Sequence, residues 1–284
     1  MIIFKSAQEI HQYLQKKKTK DKQIGFVPTM GALHQGHISL IDESKSKSDI
    51  VVCSIFVNPT QFNDKKDFEK YPITIEQDIL MLEKAGCDIL FFPSVQEIYP
   101  SKSNTEKIYN LGFIETVFEG VYRPGHFNGV CMVVERLLNI VSPHIIFLGQ
   151  KDYQQCLVIK KIIEIMKVDI RVNICSTQRE ANGLAMSSRN RRLSETQLQQ
   201  ASSIFTSFQN IKKNITPQNS TVLIDEAKQL LLNNGFDTID YYNLANAHTL
   251  EPIEFWNGTT PIVIVVAAFI NGVRLIDNMV LTQN

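Results

Sequence analysis

Through the first 175 residues, short apolar runs alternate with stretches of helical periodicity, and few folds accommodate that alternation. Runs rich in β-branched and aromatic residues predict strands at 24–27, 50–57, 89–92, 145–148 and 170–174. Helical periodicity predicts helices between them at 38–46, 75–85, 129–140 and 153–166. Strands without polar alternation need cover on both faces, so we predict an α/β fold with a doubly wound parallel sheet.

The pattern changes after Cys175. Two helical stretches come first and three strand-like runs follow, at 195–212, 222–233, 238–244, 262–270 and 273–281. Asn271 and Gly272 separate the last two runs and are typical of a two-residue hairpin turn. We therefore expect two domains, residues 1–175 and a smaller α+β domain over 176–284.

Composition limits the possible partners. The 29 basic and 29 acidic residues cancel, which gives no electrostatic reason to expect binding to nucleic acid or a membrane. The five cysteines are scattered without a C-x-x-C pair, as in cytosolic proteins. The amino-terminal apolar segment is too short for a signal peptide, and the longest apolar stretch, 261–270, is too short for a membrane span. We expect a cytoplasmic protein.

The segment 30–37, M-G-A-L-H-Q-G-H, follows the first predicted strand and enters a helix. His34 and His37, three residues apart, fall on one face of the first helical turn, beside its unpaired amides. Amides and helix dipole favour an anion, so imidazole donors there indicate a site for a phosphate that gains charge during reaction. A single histidine in such a turn is more often structural. The H-x-G-H pair is harder to explain in that way, because Gly36 offers no packing and costs about 1 kcal/mol of helix stability. A zinc site lacks a third nearby histidine or cysteine.

Two further polar segments follow predicted strands. F-V-N-P-T-Q-F, at 56–62, places the neutral amides of Asn58 and Gln61 at the carboxyl edge of the sheet, although a polar turn that caps a strand explains the spacing equally well. G-Q-K-D-Y-Q-Q, at 149–155, supplies the mobile charge of Lys151 for a phosphate. In a parallel sheet of this kind, ligands bind at this edge.

The loop M-S-S-R-N, at 186–190, carries two hydroxyls and a guanidinium that suit polyphosphate oxygens. From the start of the second domain it is placed to close over a nucleotide held by the first. The alternative is a serine-rich helix cap with a solvated arginine. For R-P-G-H, at 123–126, the alternative to a role in the site is a loop with a surface histidine.

Taken together, P-T-M-G-A-L-H-Q-G-H, S-I-F-V-N-P-T-Q-F, Y-R-P-G-H-F-N-G-V, G-Q-K-D-Y-Q-Q and A-M-S-S-R-N-R-R-L closely resemble the pantothenate synthetase (pantoate–β-alanine ligase) family. That family belongs to the wider group of H-x-G-H nucleotidyltransferases. The resemblance implies a Rossmann-like first domain, a homodimer, ATP as a substrate and Mg²⁺. It implies that pantoate is adenylated by ATP with release of pyrophosphate, and that β-alanine then displaces AMP to form pantothenate.

The resemblance also implies roles for individual residues. His37 is implied to be the catalytic proton donor, and His34 and Lys151 are implied to take part in catalysis. Three segments and one separate residue are implied to bind ATP. They are Met30, Gly31, Ala32, Leu33, His34, Gln35, Gly36 and His37; Gly149, Gln150, Lys151 and Asp152; Met186, Ser187, Ser188 and Arg189; and Gln178. Gln61 and Gln155 are implied to bind pantoate, and Asn58, Arg123 and His126 to line the rest of the cleft. Asp78 is implied to bind magnesium.

Three residues depart from the family pattern. Gln77 stands where some relatives have a second carboxylate beside Asp78, and Asn182 stands where aspartate is common. Gln178 replaces an apolar residue. The Gln77 departure bears on the metal contact, and neither Asn182 nor Gln178 removes a donor that the chemistry requires.

Two other classes of function stay open on the residues. A tRNA-linked or cytidylyl-type nucleotidyltransferase shares the H-x-G-H arrangement, although the zero net charge disfavours nucleic acid. A noncatalytic nucleotide sensor has little reason to keep both His37 and Lys151.

Overall fold

The computed structural model describes residues 1–18, 21–62, 68–69, 71–100 and 107–281. Within these residues, the first part of the chain forms a parallel sheet of β1 (Ile2–Phe4), β2 (Ile24–Thr29), β3 (Ile50–Ile55), β4 (Ile89–Phe91), β5 (Ile145–Gly149) and β6 (Arg171–Cys175). The strand order is β1-β4-β3-β2-β5-β6. The short edge strand β1 is not among the predicted strands.

Helices cover both faces of this sheet. They are α1 (Ala7–Lys18), α2 (Gln35–Lys47), α3 (Ile75–Ala85), α4 (Val95–Ile98), α5 (Glu119–Tyr122), α6 (His126–Val141) and α7 (Tyr153–Met166). Phe26 of β2 packs into a core with residues of α1, α6 and α7, whereas its neighbour Val27 packs into a second core with residues of α2 and α3. Both side chains are fully buried, so the predicted doubly wound sheet is confirmed.

The second part of the chain forms an antiparallel sheet with its own core. Its elements are α8 (Glu195–Ala201), α9 (Ser203–Asn214), α10 (Ser220–Asn233), β7 (Thr238–Asn246), β8 (Pro252–Ile253), β9 (Ile262–Ile270) and β10 (Val273–Val280). The sheet order is β10-β9-β7-β8. Asn271 and Gly272 both have positive φ, as the predicted hairpin turn requires.

The prediction of one helix over 195–212 is wrong, because the helix is interrupted at Ser202. The hydroxyls of Ser202 and Ser203 donate to the carbonyls of Gln199 and Gln200. Such back-bonding competes with the regular helical pattern and bends the chain.

The position of the site follows from the strand order. The sheet reverses its winding at β2, which has β3 on one side and β5 on the other. The carboxyl ends of β2 and β5 therefore flank the crevice where open α/β sheets bind ligands. Segments 30–37 and 149–155 follow these two strands. In the described part of the chain, no helix has the length and apolar character needed to span a membrane.

Candidate active site

A cleft of about 270 Å³ opens at this switch point and takes residues from both parts of the chain. Most of the predicted site residues line it, namely Met30, His34, Gly36, His37, Asn58, Gln61, Arg123, His126, Gly149, Lys151, Asp152, Gln155, Gln178, Met186, Ser187, Ser188 and Arg189. The remaining predicted residues are not among those that line the cleft, namely Gly31, Ala32, Leu33, Gln35, Asp78 and Gln150.

The two histidines close the amino-terminal end of α2. Nδ1 of His34 accepts the Gly36 N–H at 3.1 Å, and Nδ1 of His37 accepts the His34 N–H at 3.3 Å, which forms a reciprocal capping box. The ring centroids are 4.0 Å apart. Because Nδ1 is an acceptor in both rings, the proton of each neutral ring is on Nε2, which is left to donate to a ligand.

Both rings are neutral at pH 7. Burial, together with the nearby cations Lys151 and Arg191, lowers the pKa of His34 to about 4. Burial also lowers the pKa of His37 well below its usual range. At neutral pH the pair therefore offers two neutral N–H donors to an anion rather than two imidazolium charges.

The fixed positive charge comes from Lys151, in the turn after β5. Its side chain is 17% exposed, and Nζ lies 3.8 Å from the Asp152 carboxylate. The ammonium is near enough to the imidazoles to lower the pKa of both His34 and His37. The structure thus brings the three predicted catalytic residues to one cleft.

Asp78, the predicted magnesium ligand, has other partners. The residue is 1% exposed, and its carboxylate accepts the N–H groups of Ala32 and Leu33 at 2.9 and 2.8 Å. The Thr74 hydroxyl also donates to it, at 3.0 Å. Ala32 has a positive φ, so these bonds hold an uncommon backbone conformation just before α2. The arrangement indicates that Asp78 shapes the turn beneath the histidines.

Neutral amides form the wall of the cleft after β3. Nδ2 of Asn58 donates to Oε1 of Gln61 at 3.2 Å and to the carbonyl of Gly129 at 3.1 Å. Gly129 is required there, because a Cβ would lie 2.4 Å from the Thr60 carbonyl oxygen. His126 Nδ1 donates to the carbonyl of Gln61 at 2.8 Å, which leaves Nε2 as an acceptor. Burial lowers the pKa of His126 to about 4, so this ring is also neutral.

A buried ion-pair network connects this wall to the second domain. Glu119 accepts a bidentate pair of hydrogen bonds from Arg274, at 2.6 and 3.0 Å, and one from the Tyr241 hydroxyl at 2.9 Å. Arg123 is 3.5 Å from the same carboxylate. Burial alone would raise the pKa of Glu119, but the hydrogen bonds and charge of Arg274, with the charge of Arg123, lower it to about 2.

The loop at 186–190 contacts the turn that carries the histidines. Ser187 caps the loop by accepting the Arg189 N–H, and Ser188 donates to the carbonyl of Ala32 at 3.1 Å. Arg191, just beyond the predicted motif, donates to the carbonyl of Leu33 at 3.1 Å. These bonds place the loop over the cleft, as its sequence position predicts.

One departure from the family pattern, Asn182, has a local explanation, and nothing in the structure explains the side chain of Gln178. Asn182 accepts the Leu184 N–H at 3.1 Å and donates to the Leu198 carbonyl, so its amide stabilises a turn. Gln178 accepts the Met186 N–H through its backbone carbonyl, which keeps the loop beside the cleft.

Sequence reasoning missed the residues that reach the cleft from distant elements. Tyr71, Glu119, Asp277 and Asn278 line the cleft, whereas Arg191 and Arg274 support it by binding the Leu33 carbonyl and the Glu119 carboxylate. Most lie outside the recognised motifs, and three belong to one strand of the second sheet. Only folding brings that strand to the turn after β5, so neither spacing nor periodicity signals the role.

The chain is similar to known proteins over its whole length. The family model described as pantoate-beta-alanine ligase matches residues 2–280. A pantothenate synthetase of Cytophaga hutchinsonii is 43% identical over 285 residues, with 99% of each chain covered.

Solved structures are also similar to this chain over its whole length. Pantothenate synthetase from Thermus thermophilus is 33% identical, with a TM-score of 0.88 and both chains fully covered. Pantoate-beta-alanine ligase from Francisella tularensis, in a complex with beta-gamma ATP and beta-alanine, is 37% identical, with a TM-score of 0.83 over 100% of this chain and 99% of that one. By sequence and by fold, the chain belongs to the pantoate–β-alanine ligase family.

Proposed function

We propose that this protein joins pantoate to β-alanine at the expense of ATP, through a pantoyl adenylate, with release of pyrophosphate and AMP. The convergence of His34, His37 and Lys151 on one cleft carries the proposal. Family membership supports the overall reaction, and the Francisella relative, whose complex contains an ATP compound and beta-alanine, supports both as ligands.

The first step brings two anions together. A pantoate carboxylate oxygen attacks the α-phosphorus, and the bond from that phosphorus to the pyrophosphate oxygen breaks. The barrier comes from repulsion and from charge that builds on the nonbridging oxygens and the leaving group. Lys151 supplies a positive charge, and the Nε2–H groups of His34 and His37 supply donors that need no reorientation. Arg189, Ser187 and Ser188 also line the cleft and supply a guanidinium and two hydroxyls that suit the leaving pyrophosphate.

The second step forms the amide. The unprotonated amine of β-alanine attacks the acyl carbon of the adenylate, AMP leaves with the bonding electron pair, and the nitrogen loses a proton. The amides of Gln61 and Gln155 hold pantoate without adding a positive charge to its carboxylate, and Asn58, whose amide hydrogens are bonded to Gln61 and Gly129, orients Gln61. Closure of the cleft by the 186–190 loop protects the mixed anhydride from water.

The residues around Asp78 do not fit a protein-bound magnesium ion. Both oxygens of this carboxylate already accept hydrogen bonds from the chain, and the described residues contain no cluster of three or more His, Cys, Asp or Glu. Mg²⁺ commonly enters such sites on the phosphates of a nucleotide. We therefore expect magnesium as part of the ATP complex, and no step above depends on it.

The remaining expectations concern the whole protein. Family membership supports a homodimer in the cytoplasm, and light scattering during gel filtration tests the dimer. The end of β6 at Cys175 supports a domain boundary between residues 175 and 176.

The decisive experiment is exchange of labelled pyrophosphate into ATP, with and without pantoate. We expect exchange only with pantoate, and the separate variants His37→Ala and Lys151→Ala should each slow it by about 100-fold, because a lost transition-state donor costs about 3 kcal/mol. Exchange that depends on an amino acid instead would favour a tRNA-linked enzyme. Failure to form AMP with all three substrates present would favour a nucleotide sensor.

A further inference from the structure

Asn278, on β10 of the second sheet, holds the turn that carries Lys151. Its Nδ2 donates to the carbonyls of Gln150 and Lys151, both at 2.8 Å, and its Oδ1 accepts from Nε2 of Gln150 at 3.3 Å. Both amide hydrogens and the amide oxygen are therefore committed to two consecutive residues of the other domain. Asn278 is 2% exposed, so water does not compete for these bonds.

Asn278 is itself held rigidly. Its backbone N–H donates to the carboxylate of Asp277 at 2.8 Å. Asp277 forms a bidentate pair with Arg179 at 2.6 and 3.1 Å, and the same guanidinium donates to the Asn278 carbonyl at 3.4 Å. A side chain anchored on both sides transmits its position to the backbone that it binds.

An anchor of this kind restricts where the Lys151 ammonium can lie. A lysine side chain has four rotatable bonds and presents a point charge, so its placement depends strongly on where its backbone is held. The turn at Gln150–Asp152 is short, and the next helix begins without a side-chain cap from Asp152. The bond from Asn278 to the carbonyl of Lys151 itself is the most direct constraint on that backbone.

We propose that Asn278 is a positioning residue that sets the Lys151 ammonium toward the phosphates of ATP from the second domain. The inference rests on the proposed function for the identity of the nucleotide. Through the bonds of Asn278 to this turn, the second domain forms part of the nucleotide site.

A double-mutant cycle tests the proposal through ATP affinity, measured by calorimetry without pantoate so that no adenylate forms. We expect Asn278→Ala to weaken ATP binding about tenfold in the enzyme that retains Lys151, and less than twofold in a Lys151→Ala background. A purely structural role would weaken binding equally in both backgrounds. Equal weakening, or none in the first background, overturns the proposal.

Asn243 provides a matched control. It lies on β7 at the same register, since Asn243 and Asn278 both pair with Val265 of β9, and it is not among the residues that line the cleft. Asn243→Ala should change ATP affinity less than twofold. If Asn278→Ala does not fold, Asn278→Leu repeats the cycle with an uncharged side chain of similar size that lacks the amide donors. If the unmodified protein showed no pantoate-dependent exchange, the proposed function would be contradicted. The double-mutant cycle, which measures only ATP affinity, would still test the role of Asn278.

Discussion

His34 and His37 each use Nδ1 to accept a backbone N–H at the start of α2, which leaves Nε2–H for a ligand. One ring nitrogen therefore stabilises the helix end, and the other is free for the reaction. The H-x-G-H spacing predicts the shared face, whereas the tautomer depends on the cap geometry.

Substitution of His34 separates these two roles. Asparagine is an effective cap but lacks the distal donor, so His34→Asn should keep the free energy of unfolding within about 1 kcal/mol. The same variant should slow pyrophosphate exchange about 10- to 100-fold, as measured with saturating ATP. His34→Ala should lose both the cap and the rate. Unchanged exchange in His34→Asn would contradict a donor role for this ring.

The neutral amides that we propose to hold pantoate give a second prediction at this scale. An arginine beside the carboxylate would stabilise the ground state of the nucleophile, so Gln155→Arg should tighten pantoate binding and slow adenylation. Gln155→Met, of similar length and without charge, separates the effect of charge from that of size. Tighter pantoate binding with an unchanged adenylation rate in Gln155→Arg would refute this account.

At the level of elements, the turn before α2 depends on a carboxylate from α3. Asp78 accepts two buried N–H groups there, and these would have no partner after truncation. The same sheet edge receives α6 closely enough that residue 129 must be glycine. Helices α3 and α6 thus help to determine the shape of the cleft.

Asp78→Ala should therefore lower the free energy of unfolding by about 3 kcal/mol, even in metal-free buffer without ATP, because each buried donor left unpaired costs about 1–3 kcal/mol. Urea unfolding with a chelator present measures this. A residue that acted only as a magnesium ligand would leave the metal-free stability unchanged, and that result would restore the assignment of Asp78 to magnesium.

At the level of the whole molecule, Glu119 and Arg274 join the two domains beside the cleft. This pair is buried, and the pKa of Glu119 is lowered from 4.5 to about 2. A lowered carboxyl pKa means that the stabilisation is complete above pH 4.5 and is lost as the pH falls toward 2. The shift corresponds to about 3 kcal/mol.

Glu119→Gln should cost about 3 kcal/mol of unfolding free energy at pH 7, and the difference from the unmodified protein should shrink by more than half at pH 3. Urea titrations at both pH values measure the difference. Glu43→Gln removes an exposed pair with Lys47 and should cost less than about 0.5 kcal/mol at either pH. A cost of Glu119→Gln that is independent of pH would show that the loss is due to packing rather than to charge.

The class of fold follows from the sequence alone, because apolar runs without alternation require a sheet covered on both faces, and the structure confirms it. H-x-G-H and Lys151, each after such a run, predict a phosphate site at the carboxyl edge, and the structure brings these residues to one cleft there. Burial pattern and helix-end chemistry are local properties, so both can be predicted without knowledge of the packing.

The completion of the cleft depends on contacts that form only when the chain folds. Asp78 supports the turn, Arg274 pairs with Glu119, and Asn278 holds the Lys151 turn from more than 120 positions away in the chain. Contacts between elements distant in sequence depend on packing that one-dimensional periodicity does not encode. A short edge strand such as β1 is also invisible for this reason, since its pairing with β4 comes from the sheet rather than from its own three residues.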